Sequence, residues 1–217
     1  MAIQDVTTAV LWQRLSAERM APYLAAAGGD RARALRLYEW NIAISGALFE
    51  SIGSMEVLLR NALHQHLTAY HATTSRPGEW YDDPARVLTE RAREDIAAAR
   101  ERVRDRGCTE TPGRVVAELS FGFWRFLLAK TYEHTLWTPA LAAAFPLLKP
   151  LRRTSIHQPL CRLNELRNRI AHHEPIHARR LTLDYRDLLT VAAAICADTA
   201  RWIDRTSRVN LTLTLRP

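Results

Sequence analysis

Three features of this 217-residue chain predict an all-α fold. Apolar residues recur at helical spacing over long stretches, and no interior segment alternates apolar and polar residues between turn formers as a half-buried strand does. Capping residues also precede prolines suited to a first helical turn at Asp83-Pro84, Thr111-Pro112 and Thr138-Pro139. Only the tail from Val209 to Leu213 alternates, and one strand does not make a sheet. The length suits a single domain over 1–217, and a hydrophobic share of 47% with 24% charged residues excludes a disordered chain. The net charge of +7 and pI near 9.8 favour polyanions, an acidic partner or a membrane surface. Because Lys130 and Lys149 are the only lysines in an alanine-rich chain, gene base composition is a competing source of the arginines.

Taken in order, residues 6–27 read as a helix interrupted at Pro22 and closed by Gly28-Gly29. Asp30 then caps a long helix reaching Tyr70, with a buried lane through Tyr38, Ile42, Phe49, Ile52, Leu59, Leu63 and Tyr70. Such a helix would be about 60 Å long, which predicts a bend near Gly46 or Gly53. Glu56 falls in that lane and needs a cationic or hydrogen-bonding partner, Arg60 being the local candidate. A helix over 84–106 carries a narrow stripe of Leu88, Ile96 and Val103, with mixed charges elsewhere. The helix over 112–130 is apolar almost all round, so Phe121, Phe123, Trp124 and Phe126 read as core and Arg125 stands out as a candidate RNA contact. A short helix over 139–145, the motif helix, and a last helix over 184–205 with Leu188, Ile195, Thr199 and Trp202 complete the series.

Cys108, Cys161 and Cys196 are odd in number and widely spaced, so neither a disulfide framework nor a zinc knuckle is indicated, and a reducing cytoplasm is expected. No leader is expected at the N-terminus, and no uninterrupted apolar run approaches the roughly 18 residues of a membrane span.

The chemistry concentrates in LNELRNRIAHHEPI, residues 163–176. Arginine is a permanent cation and histidine moves a proton near neutrality, the minimum for metal-free RNA cleavage. Asn164, Asn168 and His172 follow one another at i, i+4 and i+8, with Arg167 at the edge of the buried face. Pro175 ends the helix, placing both histidines in its last turn, where free carbonyls favour a cation. A metal site at His172, His173 and Glu174 is disfavoured, since adjacent histidines diverge by about 100° and H-E-x-x-H spacing is absent. The structural alternative is a buried network of Arg167, Asn168 and Glu56 with His172 as a cap.

The run Arg167-Asn168-Arg169-Ile170-Ala171-His172, with MEVLLRNAL at 55–63 and LSFGFWRFLL at 119–128, resembles the HEPN superfamily and, within it, the Abi-like abortive-infection proteins of bacteria. The resemblance covers about 30–205, leaving 1–29 as a helical extension. It implies a HEPN-like helical bundle with additional helices, acting as a metal-independent endoribonuclease without cofactor. Such enzymes are typically homodimers. Carried over residue by residue, Arg167, Asn168 and His172 are the catalytic set, with Glu56, Arg60 and Asn61 as supporting residues of the earlier helix. Arg169 joins Arg125 as an RNA contact. His173 or a second copy's His172 would supply the second proton-transfer group that 2′-hydroxyl attack requires. The expected partners are RNA, a second copy, and an antitoxin or other regulatory protein, with no membrane. The alternative is a non-catalytic helical module for RNA binding, protein interaction or antitoxin-type assembly.

Overall fold

In the computed structural model, which describes residues 8–217, every regular element among the described residues is helical. The series begins with α1 (Thr8–Leu15), α2 (Ala17–Ala26) and α3 (Arg31–Ala72). It continues with α4 (Glu90–Asp105), α5 (Pro112–Glu118), α6 (Phe121–Phe126), α7 (Arg153–Ala171), α8 (Leu181–Ile195), α9 (Ala197–Thr206) and α10 (Val209–Thr214). Tight helical turns at Trp80–Asp82, Lys130–Tyr132 and Leu141–Ala144, and a wider one at Glu133–Trp137, fill the connections.

The spine is α3, capped by the Asp30 carboxylate accepting from Arg33 N–H at 3.0 Å. It runs unbroken through Gly46 and Gly53, where a bend was expected. Its buried face is Ala34, Leu37, Trp40, Ile44, Leu48, Ile52, Met55, Leu59, Leu63 and Leu67. The expected lane holds at Ile52, Leu59 and Leu63 but fails toward both ends, with Ile42 55% and Phe49 44% exposed and Tyr70 also outward. A seven-residue step falls about 20° short of two full turns of a straight helix, so a lane drawn by sevens slides off the buried face. Helices α2, α8 and α10 pack along α3. Trp40 Nε1 donates to the Thr212 carbonyl at 2.7 Å, holding the C-terminal α10 in place. The residues expected to alternate as a strand are thus helical, because Val209 and Thr212 bury at helical spacing. By length and composition alone, one 18-residue window of α3, with mean hydropathy 1.5, is apolar enough to cross a membrane. Counting consecutive apolar residues missed it.

Several boundaries differ from expectation. The first segment breaks at Ser16, in the left-handed region at φ 66°, rather than at Pro22, which lies inside α2. Asp83 does not start a helix: its carboxylate accepts from Val87 and Leu88 N–H at 2.6 and 3.0 Å, and α4 begins at Glu90 under Thr89. The apolar stretch over 112–130 divides at Leu119-Ser120, where Ser120 caps α6 by accepting from Phe123 N–H at 3.2 Å. Thr138-Pro139 follows a wide π-type turn and starts no α-helix. The last helix divides at Cys196, leaving Trp202 47% exposed.

The side chain that most directly joins the spine to the motif region is Asn41, buried on α3, whose Oδ1 accepts from Ile176 N–H at 2.9 Å. Replacing it by alanine strands a buried donor. Asn41→Ala is expected to lower the unfolding free energy by about 1–3 kcal/mol in urea denaturation. An unchanged midpoint and slope would show that the bond contributes nothing.

Candidate functional site

Helix α7 buries Ile156, Leu160, Leu163, Leu166 and Ile170, with Arg153 the one charged residue buried beside them, and turns most of its polar residues to the other side. It ends in a Schellman motif: His173 N–H donates to the Ile170 carbonyl at 3.0 Å and Glu174 N–H to the Arg169 carbonyl at 2.8 Å. His173 occupies the left-handed position at φ 56°, the place Gly28 takes at φ 64° in the matching end of α2. A side chain there is strained, and histidine tolerates it better than most. The loop is tied at two further points, by Arg19 Nη1 donating to the His173 carbonyl and by Asn41 to Ile176. The histidines therefore project from a fixed corner. Some of the carbonyls expected to stay free for a cation are occupied by these backbone donors.

Arg167 is half-buried and forms no ion pair within 4.0 Å among the described residues; its guanidinium carbon lies 6.0 Å from the Phe49 ring centroid, a cation–π approach. Across from it on α3 is Glu56, half-buried, with Arg167, Arg60 and the Phe121 backbone N–H around it. Burial pushes the Glu56 carboxyl above its ordinary value, and the two arginines and the Phe121 N–H pull only partly the other way. Asn168 and His172 are exposed. The site thus brings together Glu56 and Arg60 from α3 with Arg167 from α7, and it leaves His172 open at the helix end rather than buried in a structural network.

Other expected residues stand apart. Asn61 is exposed and lies about 140° around α3 from Glu56, so it does not face the cleft. Arg169 is held between Glu165 at 3.7 Å and Glu174 at 3.5 Å, which leaves its charge compensated. Arg60, by contrast, stays with Glu56, and its Nη1 also reaches the Ala117 carbonyl at 3.5 Å. Arg125 lies farther along α7, beside Cys161 at 3.6 Å.

Beside the motif runs an open groove of about 770 Å³, walled by Tyr23, Tyr38, Ile42, Phe49, Ile170 and His173 with Arg19 at its rim. Its apolar character went unread because Ile42 and Phe49 read as core. Arg19 and Asn41, which position the loop from more than 130 residues away, carried no local signal at all. No family model, no curated protein and no solved structure matches this chain.

The raised Glu56 carboxyl ties stability to pH. The folded state holds this proton more tightly than the unfolded state, so the contribution of Glu56 to stability falls as pH rises from the ordinary carboxylate value through its raised one, and the penalty persists above that. Glu56→Gln is expected to raise the melting temperature at pH 7 and to narrow the difference from wild type near pH 4. Melting curves across pH 4–8 give the answer; a lower melting temperature for the variant at pH 7 would mean that attraction to Arg167 and Arg60 outweighs burial.

Proposed function

We propose that this chain is a metal-independent endoribonuclease that acts as a homodimer in phage defence or a toxin–antitoxin system of the cytoplasm. The observation that carries it is Arg167, a half-buried cation without an ion-pair partner among the described residues, set beside Glu56 and one and a half turns from the exposed His172 on a tethered helix end. Cleavage would proceed by removal of the ribose 2′-hydroxyl proton by a base and attack of that oxygen on the adjacent phosphorus. The 5′-oxygen leaves with a proton from an acid, giving a cyclic phosphate and a 5′-hydroxyl. The Arg167 guanidinium meets the charge on the phosphorane, and Asn168, next to it, orients the phosphate. One His172 supplies one proton-transfer group. The other comes from His172 of a second copy or from His173, and the apolar groove bearing exposed Ile42 and Phe49 supports the second copy. This chemistry needs no cofactor.

The same groove also favours a second reading, a non-catalytic module that docks a partner protein or RNA. Purified protein with total RNA in EDTA separates the two. Cleavage is expected to continue in EDTA and to fall by about 10²–10⁴-fold in His172→Ala and in Arg167→Ala. The exposed position of His172 predicts an unchanged melting temperature for His172→Ala. Cleavage lost in EDTA, or insensitive to His172→Ala, sinks the nuclease; salt-sensitive binding without products supports the module.

A further inference from the structure

Some of the arginines around α7 are held by carboxylates and others are not. Arg162 pairs with Asp187 at 2.6 Å, Arg169 with Glu165 and Glu174, and Arg179 with Glu165 and Asp184 at 2.7 and 3.2 Å. Arg60, Arg125 and Arg167 have no carboxylate within 4.0 Å among the described residues. These three come from α3, α6 and α7 and line one side of the molecule. The order along that side follows from the contacts. Glu56 faces Arg167 and Phe121 N–H; one turn toward the start of α7, Asn164 Oδ1 lies against Gly122, 3.5 Å from where a Cβ would stand; one turn further, Cys161 meets Arg125. Helix α6 thus runs antiparallel along α7 with Arg125 at its far end.

On α7 itself, His157, Cys161, Asn164, Asn168 and His172 fall within an arc of about 80° at 100° per residue. They form one continuous polar stripe, half-buried at His157 and exposed at His172. Arg125 is poorly satisfied at its end of the stripe. Its Nη1 donates to the Cys161 sulfur at 3.6 Å, a weak acceptor, and its Nε is buried with no partner among the described residues. Both His157 ring nitrogens lie near the same sulfur, at 3.6 and 3.8 Å. Burial, then Arg125 and Arg153, hold His157 below its ordinary value, so it adds a neutral donor and acceptor rather than a second cation. A desolvated guanidinium with spare donors beside neutral hydrogen-bonding groups is suited to a phosphate, whose oxygens accept several N–H bonds at once.

We propose that Arg125, with His157 and Cys161, is a second phosphate subsite, and that the stripe from His157 to His172 is the track of a single RNA strand. The proposal rests on the RNA-cleaving reading of the motif and adds the substrate's form. Cys161 precedes Arg167 by six residues, about 9 Å along the axis, so Arg125 and Arg167 would bind phosphates roughly three stacked nucleotides apart on one strand.

The test uses 2′-O-methyl oligouridylates of two, four, six and eight nucleotides, which lack the attacking hydroxyl and survive intact, with binding to the full chain followed by fluorescence anisotropy at several salt concentrations. Affinity is expected to rise about tenfold between two and six nucleotides and then level, with the salt slope steepening by about 0.7 for the added phosphate contact. Arg125→Gln removes that length-dependent gain. Because Arg125 Nε is buried, Cys161→Asp provides a second route: it leaves Arg125 in place, sets a carboxylate against it and is expected to abolish the same gain. A gain of undiminished size in either folded variant overturns the subsite. If the gain depends on Arg125 but no RNA is cut, the track stands and the nuclease fails. If RNA is cut but the gain ignores both substitutions, the reverse holds. Absence of any RNA binding removes both.

Discussion

A single uninterrupted helix of 42 residues dictates the arrangement of everything else. At 1.5 Å per residue it is about 60 Å long, whereas a chain of this length folds to a radius of gyration of about 17 Å. No one layer can cover such a rod. The molecule solves the problem with short pieces, laying α2, α8 and α10 along one part and α6 and α7 along another. The strip between them, around Ile42 and Phe49, is left open, and the motif helix ends beside that strip. The groove and the site are therefore two results of the same shortage of cover. Asn41 and Glu56, on the same helix, address the last residue of the motif and its middle respectively.

The all-helical character was legible because helical periodicity and a lack of strand alternation are local properties. So was the inward tendency of Glu56, since its neighbours at Ile52 and Leu59 are buried in the same lane. What failed was phase and punctuation. Ile42 and Phe49 are apolar at sevenfold spacing, and that spacing slips around a straight helix by about 20° per step. Thr-Pro and Asp-Pro pairs mark turns as readily as helix starts, and Asp83 spends its carboxylate on a turn. The strand signal at the tail came from a helix of only six residues, too short for its period to show.

Charges around the site show the same division between composition and arrangement. Arg169 sits inside the motif and reads as an obvious contact for RNA, yet the carboxylates of Glu165 and Glu174 surround it. Arg125, embedded in an aromatic run, keeps its charge without a carboxylate partner among the described residues. Which cation is available depends on partners that lie one or two turns away or on another helix, and only the folded chain decides that. The basic net charge is accordingly a poor guide to where an anion would settle: many of the arginines are held in surface pairs, as Arg102 and Arg106 are around Glu118.

The corner that follows α7 is held by its own backbone cap, by Arg19 from the N-terminal helix pair and by Asn41 from the spine. Three anchors from three parts of the chain fix a segment of five residues that would otherwise be a free loop. The conformational freedom of the two histidines' backbone is therefore lost when the chain folds, not when something binds. Any ligand arriving at this corner meets a backbone that is already ordered, and the left-handed strain at His173 is part of the native fold.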